Sequence, residues 1–159
     1  MNAAASPAQG HEPLLILVAE DNRYDRLILQ EVFAELNWNV TLRFVAHGEE
    51  AVDYLKRRDR YAAPGAAPRP ALILMDLNMP RMTGDEVLRQ IRADPELCML
   101  PVIVLSTADS PKLVVQAYAS GINAFMTKPG GFDEFVELFR KFGVFWLEAA
   151  KLPIADAAA

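Results

Sequence analysis

Four places in the chain set acids, a hydroxyl or a lysine directly behind short apolar runs. Glu20 and Asp21 follow the run at 14–19, and Asp76 follows the run at 71–75. Ser106 follows 102–105, and Lys128 lies just past 124–126. Each alone is weak, because acids and hydroxyls also favour turns and caps. If the runs are strands of one parallel sheet, however, their carboxyl ends converge on one edge, where open α/β sheets bind ligands. Three carboxylates brought together repel one another unless a cation shares them. With one cysteine (Cys98) and two histidines (His11, His47), no nitrogen–sulfur ligand cluster is available, so a hard cation such as Mg2+ is expected. A lysine and a hydroxyl facing that cation suit a transferring phosphoryl group, whose charge must be clamped from several sides.

Convergence requires strands that alternate with crossover helices. The runs at 14–19, 40–46, 71–75, 102–105 and 124–126 read as strands, and 71–75 is apolar enough to be covered on both faces. Between them, 24–36 segregates Leu27, Ile28, Val32 and Leu36 from Glu31 and Glu35, and 48–58 places Ala51, Val52 and Leu55 on one face. Residues 86–93 are helical in pattern. Ser110 and Pro111 open a further helix, which Gly121 closes. A last helix begins near Phe132. The expected fold class is α/β: a doubly wound, five-stranded parallel sheet with helices on both faces and an extended C-terminal helix or tail. The segment 62–70, with its prolines, is expected to be a stiff, exposed loop.

At 159 residues and 52% hydrophobic composition, the chain fits one domain with a real core. The net charge of −5 supplies no basic field for nucleic acid or an anionic membrane. No apolar run is long enough to span a bilayer or to form a signal peptide, which predicts a cytoplasmic protein.

The blocks LVAEDN, LILMDLNMPRMTG, PVIVLST and AFMTKP resemble the conserved blocks of a response-regulator receiver domain, over roughly Leu14 to Leu152. The resemblance implies the strand order 2-1-3-4-5. It implies that Asp76 is the phosphoacceptor, and that Asp21 ligates Mg2+ directly with Glu20 beside it or acting through water. Asn78 would lend the metal its backbone carbonyl. Lys128 would pair with the phosphoryl oxygens, followed by Pro129 through a peptide bond that is often cis in the family. Ser106 would contact the phosphoryl group as the switch hydroxyl, and Phe125 would be the aromatic whose rotamer tracks the state. A partner histidine kinase would supply the phosphoryl group. Glu20 is one methylene longer than the Asp many receivers carry there. Phe125 lacks the hydroxyl of a tyrosine, so its inward form leaves no polar group unsatisfied.

Other readings fit less well. A haloacid-dehalogenase phosphatase would place a DxD pair after the first strand, where this chain has Glu20-Asp21-Asn22. A flavodoxin would need a Ser/Thr-rich loop there. A phosphorylation-independent adaptor would not need every catalytic position filled. Cys98 reads as a packed thiol, His47 as a surface residue, and Arg57, Arg58 and Arg60 as a solvated face. With 31 residues after Lys128, a stand-alone receiver is expected. Its divisions are a disordered lead at 1–13, the receiver at 14–142 and an extension at 143–159 whose end is disordered. The tail FWLEAAKLP and the proline-rich loop resemble single-domain receivers paired with phytochrome-type kinases. Val144, Phe145, Trp146 and Leu147 widen the apolar arc beyond what one sheet covers, so the extension is expected to form a homodimer.

Overall fold

The computed structural model describes residues 12–154. Of the lead expected at 1–13 only Glu12 and Pro13 fall among these, and 155–159 lie outside them. Strands β1 (Leu14–Ala19), β2 (Val40–Val45), β3 (Leu72–Met75), β4 (Val102–Ser106) and β5 (Ala124–Thr127) form one parallel sheet. Their order is β2-β1-β3-β4-β5, as expected. Helices α1 (Arg23–Leu36), α2 (Gly48–Lys56), α3 (Gly84–Ala93), α4 (Pro111–Ser120) and α5 (Phe132–Gly143) make the crossovers and the end of the fold.

Side chains alternate across the sheet and split the core in two. Leu17, Ala19, Ile73, Met75, Val102 and Val104 pack with α2, α3 and α4. Ile16, Val18, Leu72, Leu74, Ile103 and Leu105 pack with α1 and α5, where Phe33, Phe139 and Phe142 stack at ring separations of 5.2–6.4 Å. β3 is buried throughout. β5 is only half-buried because it is an edge strand. Its Phe125 N–H donates to the Tyr118 hydroxyl of α4 at 3.2 Å.

Several local expectations are corrected. α2 stops at Lys56 because Arg57 turns left-handed at φ 54°, and a 3-10 turn follows at Asp59–Tyr61. α3 starts two residues early, since Thr83 and Glu86 form a reciprocal capping box. The 62–70 loop is not simply exposed. Ala67 and Pro70 are buried, and donors from α2 and its end satisfy the loop's carbonyls: the Tyr54 hydroxyl reaches Pro68 at 2.7 Å and Arg57 Nε reaches Ala67 at 3.2 Å. His47 is no idle surface residue, for its Nδ1 caps α2 by accepting the Glu50 N–H at 3.0 Å. Cys98 is exposed, not packed, because Leu97 and Leu100 turn inward from its loop instead. The Lys128–Pro129 peptide is trans.

α5 runs on into a π-helical turn at Val144–Ala149. The junction is Gly143, and a Cβ there would lie 2.3–2.5 Å from the Trp38 indole. Only a glycine lets the α1–β2 loop and the end of α5 approach so closely. Trp146, Leu147 and Leu152 pack, half-buried, onto the α1/α5 side of the core.

Candidate functional site

β1 delivers Glu20, which is buried, and the first turn of α1 fixes it. Asn22 caps α1, its Oδ1 accepting from the Tyr24 and Asp25 N–H groups at 2.8 and 3.1 Å. The Asn22 N–H itself donates to Glu20 Oε1 at 3.1 Å. One turn on, Arg26 donates to the Glu20 and Asp21 carbonyls at 2.8 and 3.3 Å, which holds the acid pair from behind. Asp76 leaves β3 with its N–H on the Ala19 carbonyl (3.1 Å), and its Oδ1 accepts the Asn78 N–H at 3.0 Å. The loop is tight: a Cβ on Gly84 would come within 2.9 Å of the Asp76 carbonyl oxygen and 2.8 Å of Leu77 Cα. β5 delivers Lys128, whose N–H donates to the Ser106 carbonyl at 2.9 Å.

These elements bring the carboxylate oxygens of Glu20, Asp21 and Asp76 within 4.8 Å of one another. Lys128 Nζ donates to Glu20 Oε2 at 2.7 Å, Asp76 Oδ2 at 2.9 Å and Asp25 Oδ2 at 2.9 Å. Burial alone would lower the lysine's affinity for its proton. The hydrogen bonds to Glu20, Asp76 and Asp25 outweigh burial and hold the ammonium above the ordinary lysine range. Burial raises the Glu20 carboxyl above its usual value, and Lys128 opposes that only in part. The acids and the lysine line an open cleft of about 790 Å3. A hard divalent cation fits this all-oxygen donor set, which has both exposed and buried members and carries more negative charge than one ammonium balances.

Glu20, Asp21, Asp76 and Lys128 therefore lie together as the sequence suggested. Asn78 is exposed at the loop, tied to Asp76 through its N–H. Ser106 is buried at the end of β4, its Oγ accepting the Ala108 N–H at 3.3 Å, while its neighbour Thr107 lines the cleft. Phe125 is half-buried on β5 and packs toward the α2–α4 side of the core. Sequence reasoning missed Asp25, an ordinary-looking acid of a first helical turn, and Arg26 behind the acid pair. The only sequence signal for Asp25 was its place in the first turn of the helix that follows the acid pair, four residues after Asp21.

The family model described as the response regulator receiver domain matches residues 16–140. The chain belongs to the response regulator receiver family. Among curated proteins, this receiver is similar to response regulator Rcp1 of Synechocystis sp. (strain PCC 6803). The identity is 33% over 147 residues, covering 92% of this chain and 98% of Rcp1. A solved structure of Mn2+-bound Rcp1 superposes with a TM-score of 0.80, 33% identity and coverage of 89% and 99%. Response regulator RPA3017, in red light signalling of R. palustris, gives 0.84 at 46% identity, covering 88% of this chain and 98% of its own. The phosphorylated cyanobacterial phytochrome response regulator RcpA gives 0.81 at 35% identity, covering 89% and 99%. This chain is thus a receiver domain of the kind found in two-component response regulators, and one such receiver, Rcp1, has been solved with Mn2+ bound. No helix among the described residues is long and apolar enough to cross a membrane.

Proposed function

We propose that Asp76 accepts a phosphoryl group from the phosphohistidine of a sensor histidine kinase, and that Mg2+ held by Glu20, Asp21, Asp76 and the Asn78 carbonyl supports the transfer. The observation that carries this reading is the Asp76 carboxylate itself. It is bonded to Lys128 at 2.9 Å, shares a 4.8 Å cluster with two further acids, and opens on a cleft. An Asp76 oxygen attacks phosphorus in line. The new O–P bond forms as the N–P bond breaks, and the electron pair returns to the donor imidazole. Lys128, already within 2.9 Å of the Asp76 carboxylate, neutralises oxygens of the transferring group. When bound, the cation supplies charge neutralisation for the same oxygens. Ser106, one strand over from Lys128, is the hydroxyl to which the phosphoryl group signals, and Phe125 on β5 responds. The protein is a phosphoacceptor that changes its binding surface, not a turnover enzyme, and it works in the cytoplasm. The test is labelling by a small acyl phosphate with and without Mg2+. Label should require the cation and vanish in Asp76→Asn, and undiminished labelling of that variant refutes the assignment.

The partner we infer is a phytochrome-type kinase, on the likeness to RPA3017 and RcpA across nearly the whole chain. A homodimer through the extension is the second part of the proposal. The receiver at 14–142 is followed by four apolar residues, of which Trp146 and Leu147 cover its own core while Val144 and Phe145 stay 50% and 55% exposed. A two-fold pairing buries that pair against its copy. Replacing Val144 and Phe145 with serine should leave a monomer in light scattering. A wild-type chain that is monomeric at micromolar concentration, with and without a phosphoryl mimic, refutes the pairing.

A further inference from the structure

Asp25 is the third residue of α1. An acid there ordinarily faces the helix dipole or turns back to the N–H of the capping residue. The second role is taken, because the Asn22 N–H already donates to Glu20 Oε1 at 3.1 Å. The Asp25 carboxylate instead leaves the helix end and accepts from Lys128 Nζ at 2.9 Å, a contact between residues 103 apart in the chain. A lysine ammonium has three donors, and Glu20, Asp25 and Asp76 each accept from it. Two of these acceptors have other work. Glu20 and Asp76 belong with Asp21 to the cluster suited to a cation, and Asp25 lies outside it. If a cation draws Glu20 and Asp76 away from the ammonium, Asp25, outside the cluster, is the acceptor left to hold it.

We propose that Asp25 is a positioning residue for phosphoryl transfer: its carboxylate keeps the Lys128 ammonium aimed into the cleft while Glu20 and Asp76 serve the cation. The inference rests on the phosphoacceptor reading of Asp76. Lys128 is a flexible four-carbon arm carrying a compact charge, and one anchored bond separates an aimed ammonium from a wandering one. Asp25 is partly exposed, so asparagine fits its place without a cavity.

The test uses the full chain, its Asp25→Asn and Asp25→Glu variants, Mg2+ alone, and a small acyl phosphate. Without Mg2+ the Lys128 ammonium proton–nitrogen signal should be seen in all three chains, since Glu20 and Asp76 still hold it. On adding Mg2+ the signal should persist in wild type and Asp25→Glu and be lost in Asp25→Asn. The initial phosphorylation rate of Asp25→Asn should fall roughly tenfold or more, the scale on which misplaced groups act. Asp25→Glu should recover most of it. A role confined to the helix end would move neither readout. Persistence of the ammonium signal in Mg2+-loaded Asp25→Asn, or a rate within about twofold of wild type, overturns the proposal. A wild-type chain that takes no label at all counts against Asp76 as acceptor, while the ammonium signal still decides the role of Asp25.

Discussion

Lys128→Met removes the one positive charge bonded to three acids and keeps most of the side-chain volume. The side chain of Lys128 is 5% exposed, that of Glu20 3% and that of Asp76 11%, so water cannot take the ammonium's place without rearrangement. Stripping one partner from such a buried pair costs about 3–5 kcal/mol. The Asp25 bond, on a side chain 26% exposed, adds at most about 1 kcal/mol. In urea unfolding at neutral pH without divalent cation, the variant should therefore lose about 3–5 kcal/mol. Mg2+ at about one hundred times its dissociation constant should stabilise wild type by about 2.7 kcal/mol. It should stabilise the variant by more, because no lysine then competes for Glu20 and Asp76, and the gap narrows. The pH dependence has a definite sign. The folded ammonium titrates above its ordinary value, so its contribution is complete below the unfolded lysine pKa of about 10.5 and fades only as pH climbs through the higher folded value. The difference between the two proteins should shrink in strong alkali as the lysine loses its proton. It should shrink also as pH falls, because losing Lys128 removes the main opposition to the burial that already raises the Glu20 carboxyl. A loss under about 1 kcal/mol, or a gap that saturating Mg2+ leaves unchanged, refutes the charge-balance account.

Gly143→Ala gains about 1 kcal/mol of helix propensity but drives a methyl group into the Trp38 indole, an overpacking cost of about 1–3 kcal/mol. Its Tm should fall, and a raised Tm would show that the indole moves aside freely. Arg92 donates to the carbonyls of Gly121, Cys98 and Leu100 and to Asn123 Oδ1, all at 2.8–3.0 Å. Arg92→Lys cannot reproduce that fork and should cost about 1.5–3 kcal/mol in urea unfolding; a loss within error would show that water replaces the bonds.

The five strands and the acid cluster were legible because β strands advertise themselves as apolar runs, and Asp76 interrupts one at its carboxyl end, whereas the strand order came with the family resemblance. A buried run has no reason of its own to stop at an acid. Asp25 carried no comparable signal, since any first-turn acid suits a helix dipole, and only the fold reveals that Glu20 has displaced it from the cap. The tail was half legible. Counting apolar residues identified a surplus beyond α5, but the π-helical turn that sends Trp146 and Leu147 inward leaves no periodic trace. Gly143 carries no signal in the sequence beyond its residue type. In the structure it is the floor of an indole slot, a fact that depends on Trp38 more than a hundred residues away.

The phenol that covers β5 has a consequence for how the sheet ends. An edge strand with a bare N–H invites another chain to add itself as a further strand. Here the donor of Phe125 is occupied by a hydroxyl from α4, not by backbone, so the seal depends on where that helix stands. Any displacement of α4 that carries Tyr118 away from Phe125 opens a hydrogen-bonding slot on the same strand that leads to Lys128. The margin of the sheet is thus closed at this residue by a side chain from a neighbouring helix and not by a further strand.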